Sequence, residues 1–346
     1  MEFSFRLMSE MYRLAPLNLI KPYLERFYKK VPQGTDLTFS YNHLIFRKEP
    51  WIVEIDAVWT PIGPNIKHFK RYKKVVERAF TSDYCKKIVC TTEFSRDTLL
   101  LLLDCSLFKH KIEVVPRSVR RKEFTKRNNS KKVRILFIGS SNAVGEFELR
   151  GGKETLETFT ILCQKYSDLE LIIRSDISPV TRKRYRECLE LPNLRLIDYV
   201  LPFTELEHIY KSADIFLFPG HYEAWQVILE AMSYELPVIA IDVYAAPEHI
   251  ENGKTGFLIN RAEKVPYFQE GIPLLNMTPL FQRAIQRVDP KVVTDLVDKV
   301  SVLIEDKAMR RKMGMAGRRE IEQGKFSIER RNQVLKKIFD EAIGDS

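Results

Sequence analysis

The sequence predicts an α/β protein built on parallel sheets, and three observations carry that prediction. From residue 132 onward, short apolar runs alternate with segments of helical spacing, as in a chain that lays strands side by side with helices between them. The runs are apolar at successive positions, not at alternate ones, which suits strands covered on both faces. At 346 residues the chain exceeds one ordinary core, and a domain length of about 150 residues gives two domains.

In the second half the elements follow in regular order. Val133-Arg-Ile-Leu-Phe-Ile-Gly139 reads as an apolar strand closed by glycine, and residues 153–166 space Leu156, Phe159, Ile161 and Leu162 as a helix does. Residues 169–174 are strand, 181–189 a charged helix, 194–198 strand, 205–211 a short helix and 214–218 strand. A helix carrying Glu230 precedes the strand 237–241 and a last strand 256–259. This half reads as a Rossmann-like domain. Residues 260–289, rich in proline and turn formers, are long for a connection and suit a lid. Helices over 291–305, 308–322 and 328–342 finish the chain.

The first 130 residues are more weakly patterned. Strands are expected at 37–41, 51–55, 87–90 and 112–115, with helices near 12–28, 66–80 and 95–104. This is a smaller α/β domain that opens on a helix. The polar run 120–132 is the natural linker. The expected division is 1–128 for the first domain, 129–326 for the second, and 327–346 for a final helix.

Composition narrows the function. No run approaches the roughly 18 apolar residues of a membrane span, and the charged start Met1-Glu-Phe-Ser-Phe-Arg argues against an export signal. Five scattered cysteines fit a reducing cytoplasm and no zinc site. The net charge of +10 attracts anions. Its cations cluster at Lys67, Lys70, Arg71, Lys73, Lys74 and Arg78, and again at Arg117, Arg120, Arg121, Lys122, Lys126 and Arg127. A solvated helix face is the economical account of the first cluster; an anionic membrane surface or charged acceptor is the functional one. Without interleaved aromatic platforms, nucleic acid is not expected as a partner.

The most informative stretch runs from Phe216 to Ala240. It reads as buried strand, polar turn, helix and buried strand, and sets Glu223 and Glu230 where a strand end meets a helix start. In open α/β sheets ligands bind in that crevice. Two fixed carboxylates suit the vicinal hydroxyls of a sugar. Phosphate needs amides at a helix start plus cations, and Gly139-Ser140, then Arg150-Gly-Gly-Lys153 opening a helix, supply both. The segment is not a P-loop, because Gly-Lys-Ser/Thr is absent, and not the dinucleotide fingerprint, because the glycine spacing fails.

Taken together, Ile135-Leu-Phe-Ile-Gly139, Arg150-Gly-Gly, Ala213-Asp-Ile-Phe-Leu-Phe-Pro219, Tyr222-Glu-Ala-Trp225, Leu229-Glu-Ala-Met232, Pro237-Val-Ile-Ala240 and Gly253-Lys-Thr-Gly-Phe-Leu258 resemble glycosyltransferase family 4, the retaining GT-B enzymes. The resemblance extends over roughly residues 110 to 340. It implies two Rossmann-like domains facing across a cleft, the first one shortened here, with donor on the second, acceptor on the first, and the final helix crossing back to the first. By the same resemblance Glu230 holds the donor ribose, Glu223 contacts the transferred sugar, and Arg150, with Lys153 as second candidate, meets the diphosphate. The backbone of Gln226, Val227 and Ile228 faces that diphosphate from the helix start.

Two departures stand out. Six residues separate the glutamates where the family has seven, and Ser140 stands where the family often has arginine. Arg174, ending the next strand, is a substitute charge. Gly139, Gly220 and His221 complete the expected donor site, with His221 weighed against an ordinary surface turn histidine. On the acceptor side His43, Glu54, Asp56 and Trp59 fall near strand ends, while Trp51 reads as core.

The expected function is transfer of a hexose from a nucleoside diphosphate sugar to a hydroxyl of a glycan or lipid-linked acceptor. No Asp-x-Asp motif occurs, and neither metal nor cofactor is expected. The expected location is cytoplasmic, peripheral at the inner membrane face. A sugar-nucleotide epimerase, a phosphorylase and a non-catalytic sugar-nucleotide binder are the alternatives.

Overall fold

A computed structural model describes residues 15–63, 66–124, 132–140, 146–222, 224–269, 272–273 and 278–344. The described residues fall into two compact units. Unit 1 is drawn from Met1–Arg117, Phe268–Met277 and Glu329–Ser346, and unit 2 from Ser118–Tyr267 and Thr278–Ile328.

Unit 1 begins with α1 (Leu17–Tyr28) and continues through β1 (Thr38–Tyr41), β2 (Trp51–Ile55), α2 (Ile66–Thr81), β3 (Cys85–Cys90), α3 (Glu93–Leu102) and β4 (Ile112–Val114). The four strands pair in parallel in the order β1-β2-β3-β4. All five residues of β2 are buried, so this strand anchors the core, with Trp51, Val53 and Ile55 packed against Phe80, Ile88 and Leu99. On a second face Ile52, Val89 and Val115 meet Ile338 and Ala342 of the last helix.

Unit 2 holds β5 (Val133–Ile138), α4 (Glu146–Leu149), α5 (Gly152–Lys165), β6 (Leu169–Arg174), α6 (Pro179–Arg184), α7 (Arg186–Leu189), β7 (Leu194–Ile197), α8 (Phe203–Ser212), β8 (Ile215–Phe218), α9 (Trp225–Ser233), β9 (Val238–Ile241), α10 (Ala246–His249) and β10 (Gly256–Ile259). The six strands are parallel in the order β10-β9-β8-β5-β6-β7. Strands β8 and β9 are buried at every position, as the unbroken apolar runs require. The chain winds outward from β5 to β7, returns, and winds the other way from β8. That reversal between β5 and β8 is the topological switch point, the place in such sheets where ligands bind.

The chain then forms the short pair β11 (Phe268–Gln269) and β12 (Ile272–Pro273), which belongs to unit 1, and returns to unit 2 with α11 (Pro279–Ala284). The helices α12 (Pro290–Glu305), α13 (Lys307–Glu322) and α14 (Ile328–Ile343) end the fold, the last in unit 1. Asp289 caps α12 by accepting from the Lys291 amide, and Asp306 caps α13 through the Met309 amide. Among the described residues no helix is long and apolar enough to cross a membrane.

One expectation of organisation changes. The units divide at Arg117 and Ser118, earlier than residue 128, because Val119 and Phe124 pack into the unit 2 core. Within the stretch expected as a lid, Tyr267 and Phe281 are buried, at 3% and 0% exposed.

Candidate functional site at the switch point

At the mouth of the switch point, Gly139 follows β5 with its backbone against β6. A Cβ there would lie 2.1 Å from the Ser175 hydroxyl oxygen, so no side chain fits. The Ser175 hydroxyl donates to the Ser140 carbonyl at 3.2 Å, and the Asp176 amide donates to the same carbonyl at 2.7 Å. The Ser140 carbonyl is thus tied to the sheet, and the residue stays partly exposed at the mouth. Residues 141–145 lie outside the described residues.

The loop before α5 and the turn after β8 form one locked body. Gly151 has φ +79, and a Cβ on it would lie 2.0 Å from the Pro219 carbonyl oxygen. The His221 amide donates to the Leu149 carbonyl at 2.9 Å. Gly220 is equally confined, since a Cβ would come 2.7 Å from the Phe218 ring. Glu223, on this turn, lies outside the described residues.

His221 is not a surface group. It is 1% exposed, with Nδ1 at 2.8 Å from the Tyr267 hydroxyl and Nε2 at 3.1 Å from Glu154 Oε1. A carboxylate only accepts, so with Glu154 ionised Nε2 carries its proton and the Tyr267 hydroxyl donates to Nδ1. Both ring nitrogens are then occupied inside the protein, which corrects the expected donor contact: His221 positions the turn. Replacing Tyr267 with phenylalanine leaves Nδ1 buried without a donor, at a cost of about 1–3 kcal/mol. A fall in thermal stability with unchanged donor affinity is the expected result, measured by thermal unfolding and by titration.

Lys153 also departs from expectation. It is 2% exposed, its ammonium lies 3.4 Å from Gln286 Oε1, and burial pushes its pKa below the ordinary lysine value against the opposing charge of Glu154. A lysine so enclosed is not presented to a ligand. Arg150 remains partly exposed and pairs with Glu146 at 2.8 Å.

The charge left over is on Arg174, which ends β6. Its Nε is buried without a hydrogen-bond partner, and among the described residues no carboxylate pairs with it. Burial lowers its pKa, Tyr210 opposes that, and the nearby Arg150 adds to it. Tyr210, 1% exposed, in turn adjoins Glu230: burial, then the Glu230 charge, raises the tyrosine well above its ordinary value. Its hydroxyl sits beside the carboxylate without a hydrogen bond of good geometry. Glu230 itself is half-buried on α9. Burial raises its pKa, and the Lys122 charge pulls the other way. Lys122 is held by Glu207 at 3.2 Å, and Glu207 also accepts from the Tyr234 hydroxyl at 2.9 Å. The Tyr210 and Tyr234 rings stack at 5.0 Å beneath this group.

Helix α9 has Ala224 as its N-cap residue, with no side-chain cap hydrogen bond. The Ile228 amide bonds the Ala224 carbonyl at 3.4 Å, so it is not available to a ligand as expected. The amides of Gln226 and Val227 find no acceptor among the described residues, and they carry the positive end of the helix.

Sequence reasoning missed Tyr210, Lys122, Glu207, Glu154 and Tyr267. Their letters carry no motif; the distances of 67 and 46 positions from His221 to Glu154 and Tyr267 hide the network.

In unit 1 the acceptor-side candidates separate. Glu54 is 5% exposed and pairs with Arg331 and, at 3.6 Å, with Arg117. Asp56 pairs with Arg117 and accepts from Tyr41 and, at 2.9 Å, from Asn42. Both carboxylates are therefore tied within the unit, and Glu54 is corrected from contact residue to ion-pair anchor for the last helix. Arg331 also donates to the carbonyls of Val115 and Pro116, at 3.0 and 2.8 Å. Trp59 packs on the unit 1 core. His43 is exposed, its Nδ1 2.7 Å from the Tyr41 carbonyl. Burial pushes the Cys85 and Cys90 thiols up to about 12 and Cys105 to about 11, which removes them as nucleophiles.

Residues 132–275, which carry the whole switch-point site described so far apart from Lys122 and Gln286, match the family model for Glycosyl transferases group 1. The chain is 24% identical over 201 residues to the capsular polysaccharide biosynthesis glycosyltransferase CapM of Staphylococcus aureus, covering 57% of this chain and 44% of that one. Among solved structures, sucrose-phosphate synthase from Thermosynechococcus elongatus superposes with a TM-score of 0.64 at 14% identity, covering 98% of this chain and 80% of that one. TarM of S. aureus, solved with UDP and alpha-GlcNAc-glycerol, gives 0.59 at 16% identity, covering 86% and 52%. The chain thus spans less than two thirds of CapM and of TarM. At these identities the structural likeness is one of fold, and the fold class is GT-B, as the sequence resemblance implied.

Proposed function

We propose that this chain is a retaining glycosyltransferase of the family 4 type, moving a hexose from a nucleoside diphosphate sugar to a hydroxyl on a glycan or lipid-linked acceptor. One observation carries the reading. Arg174 ends β6 with its Nε buried and without a hydrogen-bond partner, and it has no acidic partner among the described residues. Uncompensated guanidinium charge in a crevice favours a ligand with more than one negative charge, and guanidinium groups match phosphate oxygens in bidentate fashion. The match of residues 132–275 to the group 1 model supports the same reading.

In this mechanism the departing diphosphate is stabilised by Arg174, Arg150 and the helix-start amides of Gln226 and Val227. Preorganised donors of this kind act without reorganisation as charge develops on the leaving group. Glu230 accepts from the vicinal hydroxyls of the ribose, and the sequence resemblance assigns Glu223 to the transferred sugar. No metal ion or cofactor is assigned a part. The protein works at the inner face of the membrane, in the reducing compartment its cysteines suit.

Thermal shift with a panel of nucleoside diphosphates tests the donor. A ligand at 100 times its dissociation constant stabilises the native state by about 2.7 kcal/mol. Arg174→Ala should weaken that ligand by about tenfold to a hundredfold, the range of a charge-assisted contact. Arg150→Ala should do less, because Glu146 already shares its charge. An effect of Arg174→Ala on the acceptor alone would overturn the reading. The anomeric proton of the product, followed by NMR, decides retention.

A further inference from the structure

We propose that α1 of unit 1 is an interfacial helix that seats the protein on an anionic lipid surface. This deepens the membrane-proximal reading above and places the contact on α1 instead of on the cation run of α2. The helix turns its wider apolar face outward. Only Leu19 and Pro22 of α1 are buried, and Asn18 fixes it by donating to the Thr60 carbonyl at 2.8 Å. Ile20, Tyr23, Leu24, Phe27 and Tyr28 are all exposed, Phe27 at 70% and Tyr28 at 69%. At 3.6 residues per turn these five side chains share one continuous arc of about 140°. A soluble helix normally turns such an arc to the core.

The rim of the arc is cationic. Lys21 borders one side and Arg26 the other, with Lys29 and Lys30 just beyond the helix end. The guanidinium of Arg26 lies 3.9 Å from the Tyr23 ring centroid and 4.4 Å from that of Phe27, so the charge rides on the aromatic pair. The acid of the helix, Glu25, is taken up by Lys29 at 3.4 Å. Aromatic and aliphatic side chains flanked by lysine and arginine are the composition of helices that lie in a lipid headgroup layer. Cations near anionic lipid add to the attraction, each by a similar increment. A second copy of the chain fits less well, because a symmetric pairing of this face sets its cationic rim of Lys21 and Arg26 against a rim of the same sign.

Co-sedimentation of the full chain with vesicles tests the proposal. Binding is expected to vesicles containing phosphatidylglycerol and to be weak on pure phosphatidylcholine, and to fall at high salt. Leu24→Glu and Phe27→Glu, both at exposed positions, should each reduce partitioning by about tenfold or more while the thermal transition stays in place. Neutralising Lys70, Arg71, Lys74 and Arg78 of α2 should have the smaller effect. Equal partitioning onto both vesicle types, binding that survives Phe27→Glu, or no binding by the wild type overturns the proposal. So does self-association without lipid that Phe27→Glu abolishes, which assigns the face to a second copy. Nucleotide-dependent thermal shifts on the same samples report the donor site separately, so failure of the lipid contact is distinguishable from failure of the transferase reading.

Discussion

Replacing Glu230 with alanine is expected to weaken nucleotide-sugar binding by about 100- to 10,000-fold and to reduce transfer below detection, in a protein that still folds. The magnitude follows from the ligand chemistry: a carboxylate accepting from two ribose hydroxyls makes two charge-assisted hydrogen bonds, each worth about 1.5–3 kcal/mol. The fold should survive because Glu230 belongs to no ion pair among the described residues and sits half-buried on α9. Its surroundings add a second, opposite effect on stability. Burial raises the Glu230 pKa above the ordinary carboxylate value, so the folded protein holds that proton more tightly than the unfolded chain does. The contribution to stability is then fully present below the ordinary value, and is lost as pH rises through the raised one. At neutral pH the ionised carboxylate is a burden on the fold. Glu230→Gln should therefore melt higher than the wild type near pH 7, with the difference shrinking in acid, even as donor binding is lost. Thermal unfolding across pH, alongside nucleotide titration, measures both effects. A Gln variant that melts lower at neutral pH, or binds donor normally, removes Glu230 from the site.

Gly151→Ala is expected to lower stability by about 2–5 kcal/mol and to weaken the donor with it. Two costs add. The residue sits at φ +79, where a side chain meets the left-handed penalty of about 1–2 kcal/mol. The added Cβ would also lie 2.0 Å from the Pro219 carbonyl oxygen, a backbone atom that cannot swing aside, and overpacking of this kind costs about 1–3 kcal/mol. For a unit of this size each kcal/mol lowers the melting point by about 2–4 °C. Because the contact joins the Arg150 loop to the turn that leads to α9, any relief must separate the two walls of the switch point. Gly253→Ala is the control: it too has positive φ, but its Cβ meets nothing within 4 Å, so it should pay the backbone penalty alone and leave nucleotide binding unchanged.

Much of the site was legible because its determinants are local. The unbroken apolar runs of β8 and β9 announce strands covered on both faces, and Gly139 and Gly151 mark close backbone approaches that no other residue permits. The residues that failed did so for one reason. Lys153 and His221 read as donor contacts from their own segments, but the partners that enclose them, Gln286 and Tyr267, arrive from far along the chain. Ile228 failed more narrowly: one backbone hydrogen bond, to Ala224, moves the open amides a residue earlier than a count from the glutamates suggests.

The sequence by itself determined the strands of the two main sheets, the longer helices, their alternation and the crevice where a strand end meets a helix start, though not β11, β12 or the short helices α4, α10 and α11. Those follow from backbone geometry and side-chain period, which act over a few residues. Only the tertiary structure decided which charges are spent. It neutralises Glu54 with Arg331, encloses Lys153, ties both nitrogens of His221 and leaves Arg174 with no acid among the described residues. Burial and charge pairing are properties of atoms brought together from distant positions, and a linear pattern carries no record of which cation will find an anion.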